Sequence, residues 1–226
     1  MAEFLKVLTF QNAREILQQN FAAPAAEIIP LENCFDRILA EDLTSPENIP
    51  AFTRSTVDGY AVNCEDSYGS SETLPGMLDY IGSVLMGEQT QLTLAAGQCA
   101  WVPTGGMMPA GSNAMIMVEY TERLDEKTVL VFKPAGAWEN VMQVGEDITA
   151  GEKIFQRGQK MRPQDIGLLA SLGVKELSVN KPYRAGILST GDEIIPFQNQ
   201  PRLGQIRDVN TWAINAALQS CGAIPC

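Results

Sequence analysis

Carboxylates are the side chains best placed to do chemistry in this sequence, because histidine is absent. Its absence removes Ser-His-Asp and Cys-His catalysis and imidazole metal sites. Acid–base work then falls to Asp, Glu, Lys, Tyr or a metal-bound water. The acids of interest lie in short polar loops. Asp192 and Glu193 are adjacent in STGDEI (189–194). They could hold a divalent metal or orient a hydroxyl, and the N–H groups around Gly191 could face an anion; the plain alternative is a solvated loop with a capping acid. Asp58, in TRSTVDGYAV (53–62), is followed by no basic residue in its stretch. Read alone it belongs to a type I turn entering a strand, its carboxylate accepting backbone N–H groups. Asp147 lies in GEDITAGE (145–152), which reads as a turn before a strand. In WVPTGGMMPAGSNA (101–114), Thr104, Gly105 and Gly106 could form an anion nest, with a hairpin connection as the default. No Gly-Lys-Ser or Gly-Lys-Thr follows, so this is not a P-loop.

The elements that must position these loops have three textures. TFQNAREILQQNF (9–21) reads as a helix with Thr9 as N-cap and Ala13, Ile16, Leu17 and Phe21 on one face. AEIIPLEN (26–33) reads as a strand and AEDLTS as a second extended piece. From residue 49 to about 140, short alternating segments (YAVNC, LDYIGSV, TQLTLAAGQCAWVP, NAMIMVEYTE, TVLVFKP) separated by Gly, Pro, Ser and Asn clusters predict a β-rich module. A linker or hinge is expected over 134–151. RPQDIGLLASLGVKELSVN (162–180) predicts a helix with Pro163 at N1, ended by Gly173, and then the strand KELSV. The third texture is a buried strand AGILS, the polar loop TGDE, and a helix DVNTWAINAALQSCG capped by Asp208 or Asn210 with Val209, Trp212, Ala216 and Ala217 inward. That is the first half of a βαβ unit, and TGDE sits at the carboxyl end of its strand, where open parallel sheets bind ligands.

Composition bounds the class. The chain has 226 residues, 45% of them hydrophobic, enough for a real core in one or two domains. A formal net charge of -11 with no run of Lys or Arg disfavours nucleic acid and anionic membranes. The five cysteines, at 34, 64, 99, 221 and 226, make no CxxC pair and suit reduced thiols in the cytoplasm. MAEFLKVLTF lacks the pattern of a signal peptide, and no apolar run approaches the ~20 residues of a membrane span.

Taken in order, PAFTRSTVDGYAV, PTGGMMPAGSNAMIMVE, VGEDITAGEKIFQRGQKMRPQDIGLLASLGVKELSV, YRAGILSTGDEI and GQIRDVNTWAINAAL resemble the MoeA family of molybdopterin molybdotransferases, related to the E domain of gephyrin. The resemblance runs over nearly the whole chain. It implies an enzyme of molybdenum cofactor synthesis that takes adenylylated molybdopterin and molybdate, inserts the metal and releases AMP with a divalent cation such as Mg²⁺. It implies a mixed, multi-domain α+β fold: an elongated base domain (1–48 and 141–180) interrupted by a β-rich domain (49–140) and followed by the start of a MogA-like α/β domain (181–226). It also implies a homodimer whose cleft lies between the second domain of one subunit and the third of its partner, and an encounter with molybdopterin adenylyltransferase. Carried over by motif, Asp58, Asp147 and Glu193 are catalytic; Asp58, Asp192 and Glu193 bind the metal; Thr104, Gly105, Ser189, Thr190, Gly191, Asp208 and Asn210 bind substrate. On this reading Asp58 needs no basic neighbour, because its partner is a metal or substrate held across a subunit interface.

The sequence departs from the family pattern at Thr53 (usually Asp or Asn), Val57 (Met), Asn113 (often Asp) and Met142 (often Arg). The remainder of the MogA-like domain and a C-terminal barrel are absent. The chain is therefore expected to be an N-terminal portion with little activity alone and an exposed apolar face on its third texture. The alternatives are a non-catalytic dimerisation or scaffold module of the gephyrin E-domain type, and a sugar- or nucleotide-binding domain.

Overall fold

A computed structural model describes residues 7–226. The opening residues 1–6, read above for the lack of a leader, lie outside the described residues. In chain order the elements begin with α1 (Phe10–Asn20), β1 (Ala26–Pro30), β2 (Leu43–Thr44), β3 (Arg54–Ser55) and β4 (Gly59–Val62). There follow β5 (Gly76–Ser83), β6 (Gln98–Val102), β7 (Ala114–Met117), β8 (Thr121–Arg123), β9 (Thr128–Val131), β10 (Val141–Met142) and β11 (Lys153–Phe155). The chain then forms α2 (Pro163–Ser171), β12 (Glu176–Asn180), β13 (Arg184–Ala185), β14 (Ile194–Ile195), β15 (Ile206–Arg207), α3 (Asn210–Ser220) and β16 (Ile224–Pro225). The fold is mixed α/β and rich in sheet. Two compact units divide it, one running up to Leu43 and resuming at Phe155–Cys226, the other Thr44–Ile154.

The second unit is built on a six-stranded sheet in the order β7-β4-β6-β5-β9-β8. Each alternating segment of the sequence supplies one or two of its strands. The pairs are antiparallel except β5 with β6. Side chains alternate across a strand, so Tyr60 and Val62 enter one core with Leu78, Cys99, Ile116 and Val131. Ala61 enters the other, with Val84, Val102, Met108, Met115 and Val141. The sheet is thus packed on both faces, and β4 is buried along its whole length.

In the first unit, β1 pairs antiparallel with β12, from Ala26↔Asn180 to Pro30↔Glu176. Leu39, Met161, Leu169, Leu172, Leu177 and Val179 form its buried apolar set. Helix α2 starts at Pro163, whose missing N–H costs nothing at that position. The Asp165 carboxylate caps it by accepting from the Arg162 N–H at 2.9 Å and from the Arg162 guanidinium at 3.0 and 2.9 Å. Gly173, at φ +67°, turns the chain out of the helix. Helix α1 is capped as the sequence predicts, Asn12 N–H donating to Thr9 Oγ1 at 3.2 Å, but none of its residues is buried.

The third texture departs from expectation. Of AGILS only Ala185 lies in a strand, the two-residue β13 parallel to β16, and Leu188 is 88% exposed. Val209, Trp212, Ala216 and Ala217, expected inward on α3, are all exposed. A strand buried on both faces needs flanking strands and a covering layer. Among the described residues, β13 has the two-residue β16 alone as partner.

Candidate functional site

The sheet-bearing unit joins two motifs that lie far apart in sequence. Asp58 Oδ1 accepts from Thr104 N–H at 2.7 Å and from Thr104 Oγ1 at 3.1 Å. The rest of the 103–108 loop is fastened to the same segment. Gly105 N–H donates to the Ser55 carbonyl at 2.8 Å, Ser55 N–H to the Gly106 carbonyl at 3.0 Å, and Met108 N–H to the Thr53 carbonyl at 2.9 Å. Ser55 is 2% exposed, and its hydroxyl donates to the Val57 carbonyl at 2.5 Å, holding the turn that presents Asp58. Gly105 sits at φ +81°, in the left-handed region open to glycine. Gly106 N–H donates to the Pro103 carbonyl at 2.8 Å. All three N–H groups that an anion nest would aim outward are therefore spent within the protein. The default reading as a hairpin fails too, because the loop joins β6 to β7, which lie on opposite sides of β4. What it offers a ligand is the Thr104 side chain, the free oxygen of Asp58 and the surface of the cleft beside it. Gly105, Gly106 and Met107 line that cleft of about 340 Å³ with Phe52 and Gly87–Gln89.

Asp147 belongs to the same unit and is exposed. Its N–H and that of Ile148 both donate to the Ile49 carbonyl, at 3.0 and 3.1 Å. No hydrogen bond among the described residues joins its carboxylate to Asp58 or Thr104.

The other unit carries the second group of expected residues. Asp208 accepts from Thr211 Oγ1 at 2.6 Å and Thr211 N–H at 3.1 Å. The Thr211 hydroxyl, and then its N–H, hold the Asp208 carboxyl below the ordinary carboxylate range, with lesser help from the Ser189 hydroxyl and the Asn210 N–H. Asp208 therefore caps the start of α3 through Thr211. The Ile206 N–H to Glu193 carbonyl and Asp208 N–H to Ile195 carbonyl bonds bring the end of the STGDEI loop to that start. Gly191 lies under the Glu193 carboxylate, and a Cβ built there would be 2.8 Å from Glu193 Oε2. Ser189, Gly191, Asp208 and Thr211 line a cleft of about 320 Å³ whose apolar wall includes Phe197 and Trp212. These two rings meet edge to face, 4.9 Å apart at 81°. Thr190, Asp192, Glu193 and Asn210 are exposed around it.

Among the described residues, no three His, Cys, Asp or Glu side chains gather as a ready metal site, and no helix is long and apolar enough to cross a membrane. Sequence reasoning missed Ser55, Gly59 and the Phe197–Trp212 pair. The glycine of DGY and the aromatic after Pro196 were the available signals.

A sheet-built unit that straps Asp58 to Thr104 and a second unit that carries the TGDE loop occur together in one known class of protein. The family model of the MoeA N-terminal region, domains I and II, matches residues 8–173, and the chain belongs to that family. A molybdopterin molybdenumtransferase of Haemophilus influenzae is 31% identical over 94% of this chain and 52% of its own length. One from Synechococcus elongatus is 33% identical over 96% of this chain and 54% of its own. Two crystal structures of molybdopterin biosynthesis MoeA protein from Pyrococcus horikoshii superpose on this chain. One has a TM-score of 0.86 at 36% identity, covering 97% of this chain and 56% of that one. The other has a TM-score of 0.91 at 30% identity, covering 98% and 59%. The chain thus spans about half the length of the curated relatives it matches.

Proposed function

We propose that this chain takes part in molybdenum cofactor synthesis, as part of a transferase that inserts molybdate into adenylylated molybdopterin with release of AMP. The observation that carries the reading is the Asp58–Thr104 contact, which spans 46 residues and makes one site of two loops. Its relatives, named molybdopterin molybdenumtransferase, supply the substrate class. Asp58 keeps one carboxylate oxygen outside the Thr104 bonds, and Asp192 and Glu193 are exposed acids on a polar loop. Mg²⁺ is held by one or two carboxylates together with substrate phosphate and water, so this donor set fits it without a preformed cluster. Across the subunit interface proposed below, Asp58 of one subunit and Asp192 and Glu193 of the other would hold the ion, which when bound neutralises phosphate charge and polarises the P–O bond that breaks.

The chain's own residues do the positioning. Thr104 fixes the direction of the Asp58 carboxylate, and Ser55 fixes the turn beneath it. Asp208 caps α3 at the cleft that it lines with Ser189, with Gly191, Thr190 and Asn210 offering backbone and amide groups to substrate. Asp147 adds a further exposed acid. We further propose the base, β-rich and MogA-like domain arrangement set out above, and a homodimer that closes the cleft between the second domain and the partner's third. Molybdopterin adenylyltransferase would deliver the substrate. Free thiols at all five cysteines agree with a reducing cytoplasm.

The test is AMP release from adenylylated molybdopterin with molybdate and Mg²⁺, by the chain and by its Asp58→Ala and Glu193→Ala variants. Release that needs both acids supports the transferase. Tight self-association with no release, or release indifferent to both acids, supports the scaffold reading instead.

A further inference from the structure

Nine arginines occur in the chain, and among the described residues only Arg37 and Arg54 are partly buried; the others are exposed. Arg37 is ion-paired. It pairs with Glu27 and donates to the Asn180 carbonyl at 2.9 Å. Arg54 is not. Its one side-chain partner among the described residues is the Met142 thioether, 3.4 Å from Nη2. A guanidinium carries five donors, and a thioether sulfur is a weak acceptor. A cation taken partly out of water ordinarily finds a carboxylate or several carbonyls. In a chain with 27 acids and 16 bases, the lack of an acid beside Arg54 is not for want of carboxylates.

The backbone explains where this unused fork points. Arg54 is directly opposite Met142 in the β3–β10 pair and bridges Met107 on its other side. Residues directly opposite in such a pair share a face, so the guanidinium lies among two methionines. Met107 also lines the cleft with Gly105 and Gly106. The next residue, Ser55, fastens those two glycines, and Asp58 holds Thr104. Arg54 thus supplies a positive, planar, multi-donor group on the same loop cluster as Asp58. Glu88, which lines the cleft that Met107 borders, is exposed and water-screened. Tetrahedral oxyanions are what such a fork recognises, through parallel charge-assisted N–H···O bonds.

We propose that Arg54 is the residue of this unit that grips a tetrahedral oxyanion, the molybdate or the phosphate of the nucleotide substrate. Its identity as one of these two rests on the function proposed above. The site itself rests on a half-buried guanidinium whose side-chain partner among the described residues is a thioether, leaving its other donors open to a ligand from solvent.

The experiment is calorimetric titration of the whole chain with sodium molybdate, inorganic phosphate and AMP in separate arms. At least one of the three binds the unaltered chain. Arg54→Gln weakens it by roughly tenfold or more, the share of one charge-assisted pair. Arg54→Lys, which keeps the charge and loses the fork, falls between. The decisive variant moves the guanidinium to the facing strand. Arg54→Met combined with Met142→Arg returns the affinity to within about threefold, since directly opposite side chains are neighbours. This variant also guards against loss of fold, because Arg54→Met alone shares its packing but not its charge. A response confined to molybdate identifies a metal-oxyanion subsite, and one confined to AMP and phosphate a nucleotide subsite. Absence of binding in all three arms, equal affinity in Arg54→Gln, or no recovery in the exchanged pair overturns the proposal. Should anion affinity ignore Arg54 while AMP release still needs Asp58, this inference falls and the proposed function stands.

Discussion

Gly59 controls whether Asp58 can reach Thr104, and its replacement by alanine gives a quantitative test. Gly59 lies in β4, between β6 and β7, where the backbones approach closely. A Cβ at this position would be 2.0 Å from the Ile116 carbonyl oxygen, 2.9 Å from its carbon and 3.1 Å from Met117 Cα. Side-chain carbons do not approach closer than 3.0 Å, so the shortfall is 3.0 − 2.0 = 1.0 Å. The obstacle is backbone in a paired strand, with Gly59 opposite Met117 and Tyr60 opposite Ile116, so no side chain can rotate away. Either β4 and β7 part at this point or both strands shift inside a sheet packed on both faces. Overpacking typically costs 1–3 kcal/mol, and a backbone clash in a central strand belongs at the upper end, about 3 kcal/mol. With a urea slope of about 2–3 kcal/mol/M, the unfolding midpoint of Gly59→Ala falls by about 1 M. Near-UV circular dichroism reads it through Tyr60 and Trp101, whose rings meet 5.3 Å apart within the same sheet. The displaced strand also carries Asp58 off Thr104, so hydrogen exchange at the Thr104 N–H accelerates. An unchanged midpoint together with unchanged Thr104 protection would refute the close-approach argument and the claim that it fixes Asp58.

Other perturbations follow from the same structure. Asp165 is 3% exposed and its carboxyl is held below the ordinary range chiefly by side-chain hydrogen bonds from Arg162. Because the folded value is the lower one, its stabilisation is complete above the unfolded value of about 3.9 and is lost as pH falls through the native value. Asp165→Asn therefore flattens the acid limb of the stability curve measured by thermal melts, and Asp165→Ala costs about 1–2 kcal/mol through loss of the α2 cap. Of the five thiols, the exposed Cys221 and Cys226 react with an aromatic disulfide reagent at pH 8 in the native protein. Cys99, its thiol pushed up to about 12 mainly by burial, reacts only after denaturation, as do the buried Cys34 and Cys64. Asp208→Ala frees Thr211, and faster amide exchange at Thr211 with unchanged exchange in β4 is the expected signature.

How much of this was legible in the sequence depends on whether the signal was local. Helix α2 could be read from Pro163 and Gly173, and α1 from Thr9 and its apolar spacing, because caps and periodicity are carried by neighbouring residues. The alternating segments gave the strands of the six-stranded sheet for the same reason. Their order β7-β4-β6-β5-β9-β8 was not legible, since it is set by pairings between distant segments. The site divides in the same way. Asp58 and Thr104 were each picked out by motif, but the bond between them spans 46 residues and no local pattern encodes it. Neither reading of Thr104–Gly106 holds, the hairpin taken as default because β4 lies between β6 and β7, and the alternative nest because Asp58, Ser55 and Pro103 take its N–H groups; both outcomes are set by distant pairings. The apolar face of α3 was legible as periodicity, whereas its exposure is a property of what packs on it. Val209 is 70% exposed and Trp212 52%.

The most direct test of the central claim is equilibrium binding of adenylylated molybdopterin to the purified chain, by calorimetry, beside Asp58→Ala and Thr104→Val. The account predicts saturable binding in the unaltered chain, weakened by roughly tenfold or more in Asp58→Ala and by a smaller factor in Thr104→Val, where the carboxylate survives but loses one of its two Thr104 donors. Absence of binding, or equal affinity in all three proteins, would contradict it.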